Sequence, residues 1–266
     1  MFSVMSCENG IPYGTGPSRD EMGAIKSKAK YTPTKVSNEV SERAEEIIDF
    51  FMEKGVVAEF ALAIAGVWGC ESGINGKRYN QGEHDNGGRA NGKHAPDCKT
   101  FKYGGNTYYY SEEVMKSFGY GKGLAQWTWD RPLKFRDWYN SAESVKTEGL
   151  STMDENAAEI TATSVSTQTA FAWKEMNERT GEFMSTVRGL QHAAGGTDAF
   201  KENVKLAVDA VTRGFENGSN KSFAPVSFMD KYSGDYWGVD FKKRYEYALG
   251  VYEKLKDNSK YRTYFS

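Results

Sequence analysis

The chain has 266 residues, of which 39% are hydrophobic and 26% charged, as is usual for one large globular domain or two small ones. The formal net charge of −2 excludes the basic footprint of a nucleic-acid-binding protein. There is no basic amphipathic segment, no apolar run of membrane-spanning length and no signal-peptide pattern at the N-terminus. We therefore expect no secretory signal and no membrane insertion.

Glycine and proline are frequent in the first part of the chain, where apolar residues show little periodicity. This pattern predicts an N-terminal arm or linker over residues 1–36 and one folded domain over residues 37–266. The domain opens with a predicted helix that begins near Ser37 or Asn38 and stops at Gly55, since apolar residues recur at three- and four-residue steps.

A second predicted helix follows almost at once and is closed by Gly73. Its inward stripe consists of Val57, Ala61, Ile64, Trp68 and Glu71. A carboxylate on an apolar stripe is solvated at the helix end, paired with a cation, or partly desolvated for a purpose. Desolvation beside Trp68 and the negative end of the helix dipole would help Glu71 keep its proton, as the general acid of glycoside hydrolysis requires.

Residues 75–110 lose the helical period, and the segment 101–110 predicts a β-hairpin that turns at Gly104, Gly105 and Asn106. The loop before it contains metal-ligand residue types at spacings that match no standard zinc or calcium site. These residues are His84, Asp85, His94, Asp97 and Cys98. We therefore predict neither a metal nor a cofactor.

Helical patterns dominate the rest of the chain, which predicts an α+β fold that is mostly α-helical. One predicted helix begins at Pro132. Three more cover residues 164–179, 198–215 and 240–255. The small β-hairpin region would be inserted after the helix that carries Glu71.

Two short motifs together resemble a known family. The first, CESGIN, contains Glu71 and Ser72 at the predicted helix end, and the second, GKGLAQWT, covers residues 121–128. The pair resembles the phage tail lysozyme family and is similar, more distantly, to lytic transglycosylases and goose-type lysozymes. The later segments STQTAFAWKEMNE, AVTRGFENG and RYEYALGVYEKL also resemble the family, so the resemblance covers residues 38–258.

The resemblance implies a lysozyme-like fold in which Glu71 is the catalytic glutamate. It also implies that Ser72, Gly123, Gln126 and Trp127 bind the sugar chain. These residue types suit that role, since glycine admits a ligand close to the backbone and a glutamine amide both donates and accepts hydrogen bonds. An indole provides a flat apolar face for a sugar ring.

The position of a second catalytic carboxylate is less defined. Glu83 and Asp85 follow Glu71 in the long loop and are the candidates for stabilising charge or positioning water, with Asp130 as a weaker one that could instead cap the next helix.

The function implied by the resemblance is cleavage of the β-1,4 bond between N-acetylmuramic acid and N-acetylglucosamine by a virion-associated muramidase. A lytic transglycosylase that leaves anhydro-muramic ends and a non-catalytic peptidoglycan-binding tail component are the alternatives. The expected partners are bacterial peptidoglycan and other phage tail or virion proteins. The expected location is the virion, acting on the host cell wall.

Overall fold

The computed structural model describes residues 31–77, 79–80, 100–109, 121–127, 130–149, 160–178, 182–216 and 241–265. Helices make up most of these residues, so the prediction of a mostly α-helical fold is confirmed. The α-helices are α1 Asn38–Glu53, α2 Ala58–Ser72, α3 Arg131–Tyr139, α4 Ala142–Glu148, α5 Val165–Glu178, α6 Glu182–Gly189, α7 Gly196–Ala210 and α8 Phe241–Leu255. A 3₁₀ turn covers Ile160–Ala162, and a π-helical turn, Val211–Glu216, continues α7.

Strands within the described ranges form two short antiparallel pairs. Strand β1, Tyr79–Asn80, pairs with β4, Gly121–Lys122. Strand β2, Thr100–Tyr103, pairs with β3, Asn106–Tyr109. The connecting residues 81–99 and 110–120 lie outside the described part, so the inserted β-hairpin region of a lysozyme-like fold stays a prediction.

Helix α2 is the central element of the fold. Every residue from Ala58 to Gly69 is buried, and the helix contacts α1, α7 and α8. A helix that is apolar on all sides must be enclosed by other elements, which accounts for its central position. The structure thus places Glu71 at the end of the most deeply buried helix.

Two glycines allow α8 to approach α2 closely. A methyl group on Gly66 would overlap Ala248, and one on Gly69 would overlap the ring of Tyr247. Gly69 is later in α2 than Gly66, and the residue it contacts, Tyr247, is earlier in α8 than Ala248. The two helices therefore run antiparallel. The start of α8 therefore lies beside the end of α2.

The predicted ends of the first two helices are confirmed. The Ser37 hydroxyl caps α1 by accepting a hydrogen bond from the backbone N–H of Val40, and Gly73 closes α2 with φ of 68°. Asp130 does not cap α3 through its side chain, because its carboxylate pairs with Lys134 at 2.7 Å.

Helices α4 and α6 were not predicted from the sequence. Residues 1–30 are outside the described part, so the division into arm and domain stays a prediction. Among the helices that the structure describes, none is long and apolar enough to span a membrane.

Candidate active site

Glu71 lies on the last turn of α2, where the chain leaves the core. Its side chain retains 21% exposure, whereas Trp68, one turn earlier, is fully buried. The Ser72 hydroxyl donates to the Trp68 carbonyl at 2.9 Å and accepts from the Asn75 N–H at 3.3 Å. Ser72 therefore fixes the turn that follows Glu71.

The carboxylate of Glu71 forms an ion pair with Arg244 at the start of α8. The guanidinium is buried and also donates to the hydroxyl of Thr212 at 3.2 Å. Of the three environments that the sequence left open for Glu71, the structure has the pairing with a cation. The structure differs from the expected environment, a carboxyl desolvated beside Trp68, because α8 brings a positive charge to the helix end.

The indole of Trp68 is hydrogen-bonded to a different carboxylate, that of Glu216. Its Nε1–H donates to Glu216 Oε1 at 3.1 Å, and Glu216 Oε2 lies 4.0 Å from an Nη atom of Arg131. Glu216 is the last residue of the π-helical turn that continues α7. Such turns are rare and often occur at functional sites.

Arg131 connects this carboxylate with a third one. It donates from Nε and Nη2 to the two oxygens of Glu175, both at 2.9 Å, and Glu175 also accepts from the Trp127 indole N–H at 2.6 Å. Burial lowers the pKa of Arg131, but Glu175 and Glu216 raise it, and the net change is upward. The guanidinium also lies 4.9 Å from the ring centroid of Phe215. Arg131 thus ties together α3, α5 and the π-helical turn.

The loop at residues 121–127 folds back on itself. Lys122 and Trp127 exchange backbone hydrogen bonds at 3.2 and 2.9 Å, and the Gln126 amide donates to the Gly123 carbonyl at 2.8 Å. Gly123 and Gln126 both have positive φ, 72° and 47°. Glycine is needed at 123 for a second reason, because a Cβ there would lie 2.5 Å from the Oε1 atom of Gln168.

Gln168 on α5 holds this loop beside the turn after α2. Its fully buried amide accepts from the Leu124 N–H at 2.9 Å and donates to the Gly76 carbonyl at 3.0 Å. It also donates to the carbonyls of Ile160 and Thr163 at 2.9 and 3.2 Å. One side chain therefore joins the segment after Glu71, the glycine-rich loop and the start of α5.

The family model of the phage tail lysozymes matches residues 42–255 of the chain. The chain belongs to the phage tail lysozyme family. Membership implies a peptidoglycan-cleaving hydrolase that is virion-associated and acts on the cell wall. The searches of curated proteins and of solved structures gave no match.

The residues expected to bind sugar differ in how far the structure exposes them. Gln126 is half-buried, whereas Ser72 and Gly123 are buried. Trp127 is fully buried, and its ring contacts Phe171 with centroids 5.6 Å apart. A ring with no exposed surface cannot stack on a sugar in this conformation, so Trp127 supports the loop from inside.

Some expectations lie outside the described residues, and some residues of the site were not expected. Glu83 and Asp85, like the loop histidines and Cys98, fall within residues 81–99. The described residues contain no group of three or more His, Cys, Asp or Glu side chains that could hold a metal. Reasoning from the sequence missed Arg131, Glu175 and Arg244, whose contacts join residues 44 to 173 positions apart.

Proposed function

We propose that this phage tail lysozyme cleaves the β-1,4 bond between N-acetylmuramic acid and N-acetylglucosamine, with Glu71 as general acid. Its side chain is 21% exposed, against 7% for Glu175 and 8% for Glu216. The other two carboxylates are occupied inside the protein. Glu216 accepts a hydrogen bond from the Trp68 indole, and Glu175 accepts from the Trp127 indole and the Arg131 guanidinium. Glu71 is thus the carboxylate of this cluster best placed to reach a substrate.

The observation that carries the proposal is the clamp made by Gln168. Its amide joins Gly76, five residues after Glu71, to Leu124 in the glycine-rich loop. The candidate acid and the loop expected to contact sugar are therefore held by one rigid α5 side chain. Catalysis needs this kind of fixed geometry, because a shift of about 1 Å can lower a rate about 100-fold.

In the proposed reaction, protonated Glu71 gives its proton to the glycosidic oxygen. The bond from that oxygen to C1 of N-acetylmuramic acid breaks, N-acetylglucosamine leaves as an alcohol, and positive charge develops on the muramic ring. A hydroxyl then attacks C1 and returns a proton to the Glu71 carboxylate. Attack by water gives hydrolysis, whereas attack by the muramic 6-hydroxyl closes an anhydro ring.

The second route, lytic transglycosylation, is supported by the environment of the neighbouring carboxylates. Both Glu175 and Glu216 lie against Arg131, and each accepts an indole N–H. Neither is thereby arranged to activate water. A second carboxylate for hydrolysis would have to come from elsewhere, and Glu83 and Asp85 are the proposed sources.

For the sugar contacts we propose the loop formed by residues 121–126, with half-buried Gln126 as its side-chain contact. Gly123 and Ser72 are buried and would act indirectly, Gly123 by letting the loop pack against Gln168 and Ser72 by holding the turn after Glu71. The proposed location is the virion, with other tail proteins as neighbours and host peptidoglycan as substrate.

Mass spectrometry of peptidoglycan digested with the purified chain tests the proposal. Fragments with reducing muramic ends are expected for hydrolysis, and anhydro-muramic ends for transglycosylation. If hydrolysis is found, Glu83→Gln or Asp85→Asn should lower the rate, though less than Glu71→Gln. Binding to peptidoglycan without release of any sugar fragment would contradict the proposal and favour a non-catalytic tail component.

A further inference from the structure

Arg244 is the residue that pairs with Glu71 in the described part of the structure. Its guanidinium is almost wholly buried, with 7% exposure, and it is held by the Glu71 carboxylate and the Thr212 hydroxyl. The close antiparallel packing of α2 and α8, made possible by Gly66 and Gly69, brings the two charges together. The pair is therefore built by the core of the protein and does not depend on a flexible surface side chain.

Two other titratable groups that the structure describes near the end of α2, Glu216 and Tyr247, have contacts of their own. Glu216 accepts from Trp68 and faces Arg131. On α8, Tyr247 packs against Gly69, and its pKa is raised mainly by burial. Lesser effects on that phenol come from Arg43 on α1 and from Cys70 beside Glu71.

We propose that Arg244 is a positioning residue that makes Glu71 a stronger acid by stabilising the carboxylate formed when the proton leaves. This inference rests on the proposed function of Glu71. In the transfer, the proton moves from the Glu71 carboxyl to the glycosidic oxygen, and the negative charge appears next to a guanidinium that is already in place. A fixed charge aimed at a developing one stabilises the transition state without reorganisation.

The same pair has a second consequence for the pH dependence. A nearby cation favours the ionised form of a carboxyl, so we expect Glu71 to lose its proton at lower pH in the wild type than in Arg244→Gln. Removing the cation should therefore change two quantities in opposite directions. The acid should keep its proton to higher pH, but it should transfer that proton less readily.

The test compares pH–rate profiles of the wild type, Arg244→Gln and the matched control Arg131→Gln on purified peptidoglycan. For Arg244→Gln, we expect the alkaline limb to move up by about 1–3 pH units. The plateau rate should fall at the same time. Arg131→Gln also removes an arginine that is bonded to carboxylates, yet it should leave the alkaline limb of the pH–rate profile in place. Arg244→Lys keeps the charge and should bring the limb back towards the wild-type position.

A second measurement follows the titration of the Glu71 carboxyl directly and does not depend on catalysis. In the full wild-type chain labelled with ¹³C at glutamate carboxyls, the Glu71 signal is assigned by its loss in Glu71→Gln. Its titration midpoint should lie below those of the exposed glutamates. A midpoint equal to or above theirs, or an unmoved alkaline limb in folded Arg244→Gln, would overturn the proposal. If the wild type releases no sugar, the proposed function fails, whereas the titration still decides the role of Arg244.

Discussion

Replacing Gln168 by methionine should strongly destabilise the protein. Methionine has nearly the same length and shape as glutamine but can neither donate nor accept the four hydrogen bonds that the amide makes. Nε2 has two hydrogens for three of these contacts, so the four contacts amount to about three full hydrogen bonds. Each full bond contributes about 0.5–1.5 kcal/mol net, which gives a loss of about 1.5–4.5 kcal/mol. A loss of about 4 kcal/mol corresponds to a fall of about 8–16 °C in the Tm of a domain of this size.

The assay is denaturant and thermal unfolding of the wild type and Gln168→Met, followed by circular dichroism. Gln191→Met is the matched control, because the Gln191 side chain is exposed and should change stability by less than about 0.5 kcal/mol. Lysis by folded Gln168→Met should also fall, since the glycine-rich loop is no longer tied to the turn after Glu71. A loss of stability below about 1 kcal/mol would refute the reasoning, because the amide would then not be clamping these segments.

Two further changes probe the charged and titratable contacts. Glu175→Gln should destabilise the protein by about 3–5 kcal/mol in denaturant unfolding, because it leaves the guanidinium of Arg131 without its two-point carboxylate partner. The pKa of Tyr261 is raised, first by burial and then by its hydrogen bond to Asp49, so the folded state keeps a proton that the unfolded chain loses above about pH 10. Stability should thus fall as pH rises beyond that value, and Tyr261→Phe should make this fall shallower by up to about 1.4 kcal/mol per pH unit.

The helical framework could be predicted from the sequence because its signals are local. Ser37 and Gly73 mark helix ends through their own backbone and capping chemistry. The helix predicted to begin at Pro132 is α3, in which Pro132 occupies the first turn. The spacing of apolar residues and the capping residues therefore predicted where the main helices lie. They also predicted that Glu71 lies at the end of the central helix.

The charge arrangement could not be predicted, because it depends on contacts between distant segments. No local pattern connects Arg244 to Glu71, which lies 173 residues away, or Arg131 to Glu175. Trp127, which the resemblance implies is a sugar-binding residue, is buried. Its burial results from the tertiary packing of α3 and α5 around it, which sequence periodicity does not describe.

The most direct test of the central claim is the lytic rate of Glu71→Gln on peptidoglycan, measured beside wild type and the control Glu53→Gln. The change removes the transferable proton, while the amide oxygen can still accept from Arg244, so the fold should be kept. We expect a fall of about 10²–10⁴-fold with an unchanged circular dichroism spectrum, and no change for the exposed Glu53. Retention of more than about a tenth of wild-type activity would contradict the account, since general acid catalysis contributes more than that.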